Sequence, residues 1–165
     1  MAVTLFLSPQ ELVETTILGG GIDVDKFVFV IESVQITVIE PLLGSSLYNK
    51  IISDLEGSGL SGDYLTMYEE FVQPITKNIA CAEYLEIGDL IVSNGGIFIH
   101  TTENSESPTQ DKLEAVSQKY RAIAGMHVTR FNNWIANNVL TEYNASNVGE
   151  VEVDGNIELK SGWDL

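Results

Sequence analysis

Apolar residues recur three and four positions apart along most of this chain, a spacing that predicts helices packed by one face. Ser8-Pro9-Gln10-Glu11 opens the first. Ser8 can cap it, proline loses nothing at the first helical position, and Glu11 can close a capping box. Gly19-Gly20-Gly21 ends that helix, and Asp23 or Asp25 can cap a second over Lys26 to Glu40. That segment is rich in Val, Ile and Phe, which favour strands. However, Phe27, Val30, Ile31, Val34 and Val38 keep helical spacing, and the run is long for a strand. A helix is therefore expected. Glu40-Pro41 should end or bend it, and Ser45 or Ser46 should start a third carrying Leu47, Ile51, Ile52 and Leu55.

A Gly/Ser loop at 57–62 precedes a long helix expected from Asp63 to about Val92. Its stripe is Tyr64, Tyr68, Phe71, Ile75, Ile79, Ala82, Leu85 or Glu86, and Leu90, and Pro74 should kink it. Asn94-Gly95-Gly96 then leads into a short β-like run, Ile97–Thr102, as a hairpin or a loop, and a polar stretch, Glu103–Pro108. The last long helix spans Thr109 to about Asn138, with Leu113, Val116, Tyr120, Ile123, His127, Phe131 and Trp134 on one face. The expected fold is mainly α: a helical bundle with two long antiparallel helices, a β-like excursion between them and an extended C-terminal tail. Residues 1–140 would form the helical domain and 141–165 an acidic arm. Within that arm, Val151-Glu152-Val153 and Ile157-Glu158-Leu159 alternate at strand period about Asp154-Gly155-Asn156, a candidate hairpin.

Charge narrows the partners. Eight basic against 24 acidic residues leave a formal net charge of −16, which argues against gripping a phosphate backbone and against an anionic membrane surface. It favours a partner with a basic face. The acid is uneven. Residues 1–62, 63–107 and 140–165 carry −6, −7 and −5, whereas 108–139 carry +2. Lys112, Lys119, Arg121 and Arg130 on the last long helix are therefore either a solvated face or a surface receiving acid from a neighbouring subunit.

No catalytic set assembles from the sequence. His100 and His127 stand apart from any Cys, His or carboxylate at metal-ligand spacing. His127 lies on the apolar stripe and reads as a hydrogen-bonded core residue. The triple glycine lacks the lysine of a phosphate loop, Asp23 and Asp25 lack the rest of a calcium loop, and Glu69, Glu70, Glu83 and Glu86 have no Glu-x-x-His beside them. Hence no catalytic, cofactor-binding or metal-ligating residue is assigned, and no enzyme is expected. Cys81, beside Ala80 and Ala82, reads as a small buried side chain in a reducing compartment. No basic region precedes an apolar stretch at the N-terminus, and no apolar run approaches the roughly 20 residues of a bilayer span. Synthesis as a soluble cytoplasmic protein is expected.

The run Ile39-Glu40-Pro41-Leu42-Leu43-Gly44-Ser45-Ser46-Leu47-Tyr48-Asn49-Lys50-Ile51 resembles a feature of head–tail connector proteins of tailed bacteriophages. In these, one helix ends in a Pro-Leu-Leu-Gly turn and the next starts with Leu-Tyr. Pro41 would break the helix, Leu42 and Leu43 would plug the core, and Gly44 would adopt a conformation closed to other residues. The order of helices, β-like excursion and tail resembles the same class. The resemblance implies a structural virion protein at the head–tail junction. About twelve copies would form a ring beneath the portal, bind tail and connector proteins, and let DNA pass without specific contact. It places no counterpart on the tail, where Trp163 and Leu165 are candidate anchors if the arm docks and idle if it is disordered. A small acidic inhibitor that mimics DNA remains the alternative.

Overall fold

The computed structural model describes residues 3–19, 23–87, 90–93, 96–99, 110–143, 151–153 and 157–159, the strands through their backbone alone. The chain is mainly helical. Helix α1, Pro9–Thr15, starts as its sequence dictates, with Glu11 N–H donating to Ser8 Oγ at 3.1 Å. Asp23 accepts from Asp25 N–H to open a 3₁₀ turn, Val24–Phe27. The β-branched segment is helical. It runs as α2 (Val28–Val34), a π-helical turn (Gln35–Ile39) and α3 (Glu40–Leu43) without interruption. Burial of Val30, Ile31, Val34, Ile39, Leu42 and Leu43 on one side outweighs strand propensity.

Neither proline breaks its helix, contrary to the expectation for Pro41. A proline ring collides with the carbonyl four residues back, here those of Thr37 and Glu70. Both carbonyls lie in π-helical turns, Gln35–Ile39 and Tyr68–Val72, where Glu40 N–H reaches Gln35 O and Gln73 N–H reaches Tyr68 O. The wider turn makes room for the ring, so the helix continues. The true stop is Gly44, at φ 76° and ψ 147°. It also begins α4 (Ser45–Glu56), which has no side-chain cap. Ser45 Oγ donates instead to Glu40 Oε1 at 2.8 Å, so the expected serine cap is absent.

Helix α5 (Gly62–Met67) passes through the second π turn into α6 (Gln73–Ile87). Helix ends here, five residues short of the expected Val92. Leu90–Ser93 is strand β1 and pairs antiparallel with β2, Gly96–Ile99, Ser93 facing Gly96. Asn94 and Gly95 separate the two strands in sequence, the dipeptide favoured between hairpin strands, and that signal prevails over helical spacing at Leu90. Residues 100–109, including His100 and the polar stretch, lie outside the described residues. Helix α7 spans Gln110–Ile135, and β3 (Val151–Val153) pairs with β4 (Ile157–Leu159) alongside it.

Helices α6 and α7 pack against each other. Ser117 Oγ donates to Ala82 O and Glu86 Oε1, while the Phe71 ring meets Phe131 and Trp134. One core joins them to the rest through Phe6, Leu12, Phe27, Ile31, Leu47, Ile51, Met67 and Phe131. The N-terminal segment is pinned to it by Gln35, whose buried side chain accepts from Phe6 N–H at 2.6 Å and donates to Thr4 O at 3.1 Å. Packing continues past residue 140. Leu140 is buried, Tyr143 meets Phe131 edge-on, and Tyr64 Oη donates to Glu142.

Candidate interaction surface

The four cations singled out on α7 do not share one face. At about 100° per residue, Arg121 stands nine positions from both Lys112 and Arg130, half a turn away from each. Its side chain, only 12% exposed, turns toward α6 and donates to Glu83 Oε1 at 2.9 Å and Glu86 Oε1 at 3.0 Å. Burial works against the guanidinium's charge, but the two carboxylates hold its pKa above the ordinary value. Arg121 is therefore an internal tie and leaves the interaction set.

Lys112, Lys119 and Arg130 fall on the opposite, exposed side. Arg130 lies over the Phe71 ring, 5.4 Å from its centre, with Nη1 3.3 Å from His127 Nδ1. His127 is half-buried at the seam, not a core residue as the stripe implied. Partial desolvation, then the positive charges of Arg130 and Lys77, hold its pKa below the usual histidine value. Lys77, on α6, is thus near enough for its charge to act on the same ring. Among the described residues no carboxylate lies within 4 Å of Lys77, Lys112, Lys119 or Arg130. Met126, 58% exposed, sits on the same side of α7. Lys77 escaped the sequence reading, although it is the sole basic residue between Lys50 and Lys112.

A second surface also escaped that reading. Phe29 in α2 and Ile36 in the π turn that continues it, about two turns apart, are 55% and 53% exposed. Their signal was present: both are apolar yet off the stripe of Phe27, Val30, Ile31, Val34 and Val38. Of the turn residues, Leu42 and Leu43 plug the core as expected and Gly44 is buried between them and α4. Trp163 and Leu165 lie outside the described residues.

Cys81 is buried, and desolvation pushes its thiol up against opposing hydrogen bonds from Thr16, Tyr120 and Ile17. Tyr120 Oη in turn accepts from Ile17 N–H at 3.1 Å, tying the end of α1 to α7. Among the described residues no three His, Cys, Asp or Glu side chains are grouped to hold a metal ion, and no helix is long and apolar enough to cross a membrane.

Residues 39–152 match the model of a family of unknown function, DUF6712, and the chain belongs to that family. No curated protein and no solved structure matches it.

Proposed function

We propose that this DUF6712 member is a non-enzymatic assembly protein, a head-to-tail adaptor of a tailed bacteriophage virion. Several copies form a ring between portal and tail. In this reading the protomer is a helical bundle in which α6 and α7 run antiparallel, the β1–β2 hairpin projects between them, and the acidic C-terminal arm reaches a neighbour. DNA passes the ring unbound, consistent with the net charge of −16.

The observation that carries the proposal is the pair Phe29 and Ile36. Two large apolar side chains more than half exposed on one helix, in a chain with a full core elsewhere, favour burial against another protein surface. The connector-like turn Pro41-Leu42-Leu43-Gly44 supports the particular assembly, since it joins the helix bearing that pair to the core.

Light scattering on the chain alone and with a purified portal ring tests it. A mass increase corresponding to several copies per portal, with a ring in electron micrographs, is expected, and Phe29→Glu with Ile36→Glu should abolish it. No binding to the portal, together with tight one-to-one binding to a basic DNA-binding protein, would establish the acidic-inhibitor alternative.

A further inference from the structure

We infer that the seam formed by Lys77, His127 and Arg130, extended along α7 by Lys119 and Met126, is a docking surface for the acidic surface of a second copy of this chain. This rests on the assembly reading above and names one face through which copies meet.

The first ground is what the seam lacks. The chain carries 24 acidic residues, yet residues 115–141 hold none. Two cations elsewhere are matched internally, Arg121 by Glu83 and Glu86 and Lys50 by Asp54 at 2.5 Å, whereas Lys26 and Lys112 stand singly. Arg130 lies against His127 at 3.3 Å and the charge of Lys77 reaches the same ring from α6, with no carboxylate within 4 Å of either cation among the described residues. Like charges brought together without a counter-charge raise the free energy of the lone molecule, and an arriving carboxylate relieves it.

The second ground is order. Arg130 is held by the Phe71 ring and by His127 Nδ1, so its guanidinium is positioned before any partner arrives. A pre-placed arginine loses less conformational freedom on binding than one waving in solvent. Met126 beside it supplies exposed apolar area, and methionine and arginine are both enriched at protein contacts.

The occupant follows from charge. Copies of a −16 protein repel one another on average. Contact between them is least opposed where the acid-free face of one meets the acid-rich remainder of the next. Such a head-to-tail contact uses two different patches and permits ring closure.

Sedimentation equilibrium of the full-length chain across salt concentrations tests the inference, with Lys77→Glu/Arg130→Glu, the milder Lys77→Gln/Arg130→Gln, and Arg121→Gln as a control. Wild type should self-associate, increasingly as salt falls. The Glu pair should weaken association roughly tenfold or more and the Gln pair less, both with unchanged circular dichroism, while Arg121→Gln should leave association unaltered. A wild type monomeric at every concentration and salt, association indifferent to the Glu pair, or competition by duplex DNA for this face would overturn it. Portal binding distinguishes the two failures. If wild type loads portals in several copies while self-association ignores the Glu pair, this inference falls and the adaptor stands; if the Glu pair weakens self-association but wild type never binds a portal, the reverse holds.

Discussion

Arg121 reaches Glu86 through two guanidinium nitrogens, Nε at 3.3 Å and Nη2 at 3.0 Å, while Ser117 donates to the same carboxylate oxygen at 2.6 Å. One acceptor on α6 thus collects three donors from two successive turns of α7. The contact fixes which face of α7 meets α6, and it turns a cation expected on the surface into a tie between helices. Replacing Arg121 by Ala should lower stability by about 1–2 kcal/mol, less than a fully buried charge pair because Glu83 and Glu86 are themselves 43% and 44% exposed. Urea unfolding measures it. An unchanged midpoint would show that the two guanidinium donors are interchangeable with water.

Gln35 makes a comparable tie at the other end of the molecule. Its amide satisfies Phe6 N–H and Thr4 O, holding in place the segment that delivers Phe6 and Leu7 to the core. Gln35→Leu keeps the volume roughly constant but leaves Phe6 N–H buried without an acceptor. A loss of about 1–3 kcal/mol is expected. Amide exchange at Phe6 should rise more than at Ile51, which lies in the core away from that bond; equal protection in both proteins would refute the assignment.

Helix positions were readable wherever a cap or a stripe announced them, as at Ser8, Asp23 and the face of Leu47 and Ile51. What escaped had a physical reason in each case. Proline signals an end or bend at 41 and a kink at 74 because the rule assumes a regular helix, and a π turn upstream of each lets the helix run on. Leu90 and Val92 satisfy helical spacing and strand composition alike, and only pairing across Asn94-Gly95 decides between them. Within the candidate surface, the angular argument that removes Arg121 needs nothing beyond residue numbers. By contrast, the arrival of Lys77 at His127 depends on the register of α6 against α7, and no local pattern encodes that.

Gly44 carries a strong backbone constraint. At φ 76° and ψ 147° it occupies a region nearly closed to residues with a Cβ. Gly44→Ala should therefore cost about 1–3 kcal/mol, and it should disturb the junction of α3 and α4. Ser45→Ala should cost far less, because its hydroxyl bonds an exposed Glu40 side chain and caps nothing. The ratio of the two losses in thermal unfolding is the measurement. A larger effect at Ser45 would reinstate the serine cap.

His127 gives the fold a defined pH response. Its pKa lies below the ordinary 6.5 because of partial burial and the nearby Arg130 and Lys77. The folded state consequently resists the proton that the unfolded chain accepts. Above about pH 7 both states are neutral at this residue and its contribution is fully present. As pH falls through 6.5 the unfolded state binds more protons, and stability is lost until the folded pKa is passed. Carboxylates change protonation at lower pH, so the comparison with His127→Gln isolates this group. The urea midpoint of wild type should fall relative to the variant between about pH 7 and pH 5.5, and the gap should shrink in Lys77→Gln/Arg130→Gln. If an acidic neighbour occupies the seam, the His127 pKa rises on assembly and the fold of the assembled chain becomes less sensitive to acid than that of the monomer. A histidine titration by NMR at low and high protein concentration reads that shift directly, and identical curves at both would mean that nothing negative reaches the seam.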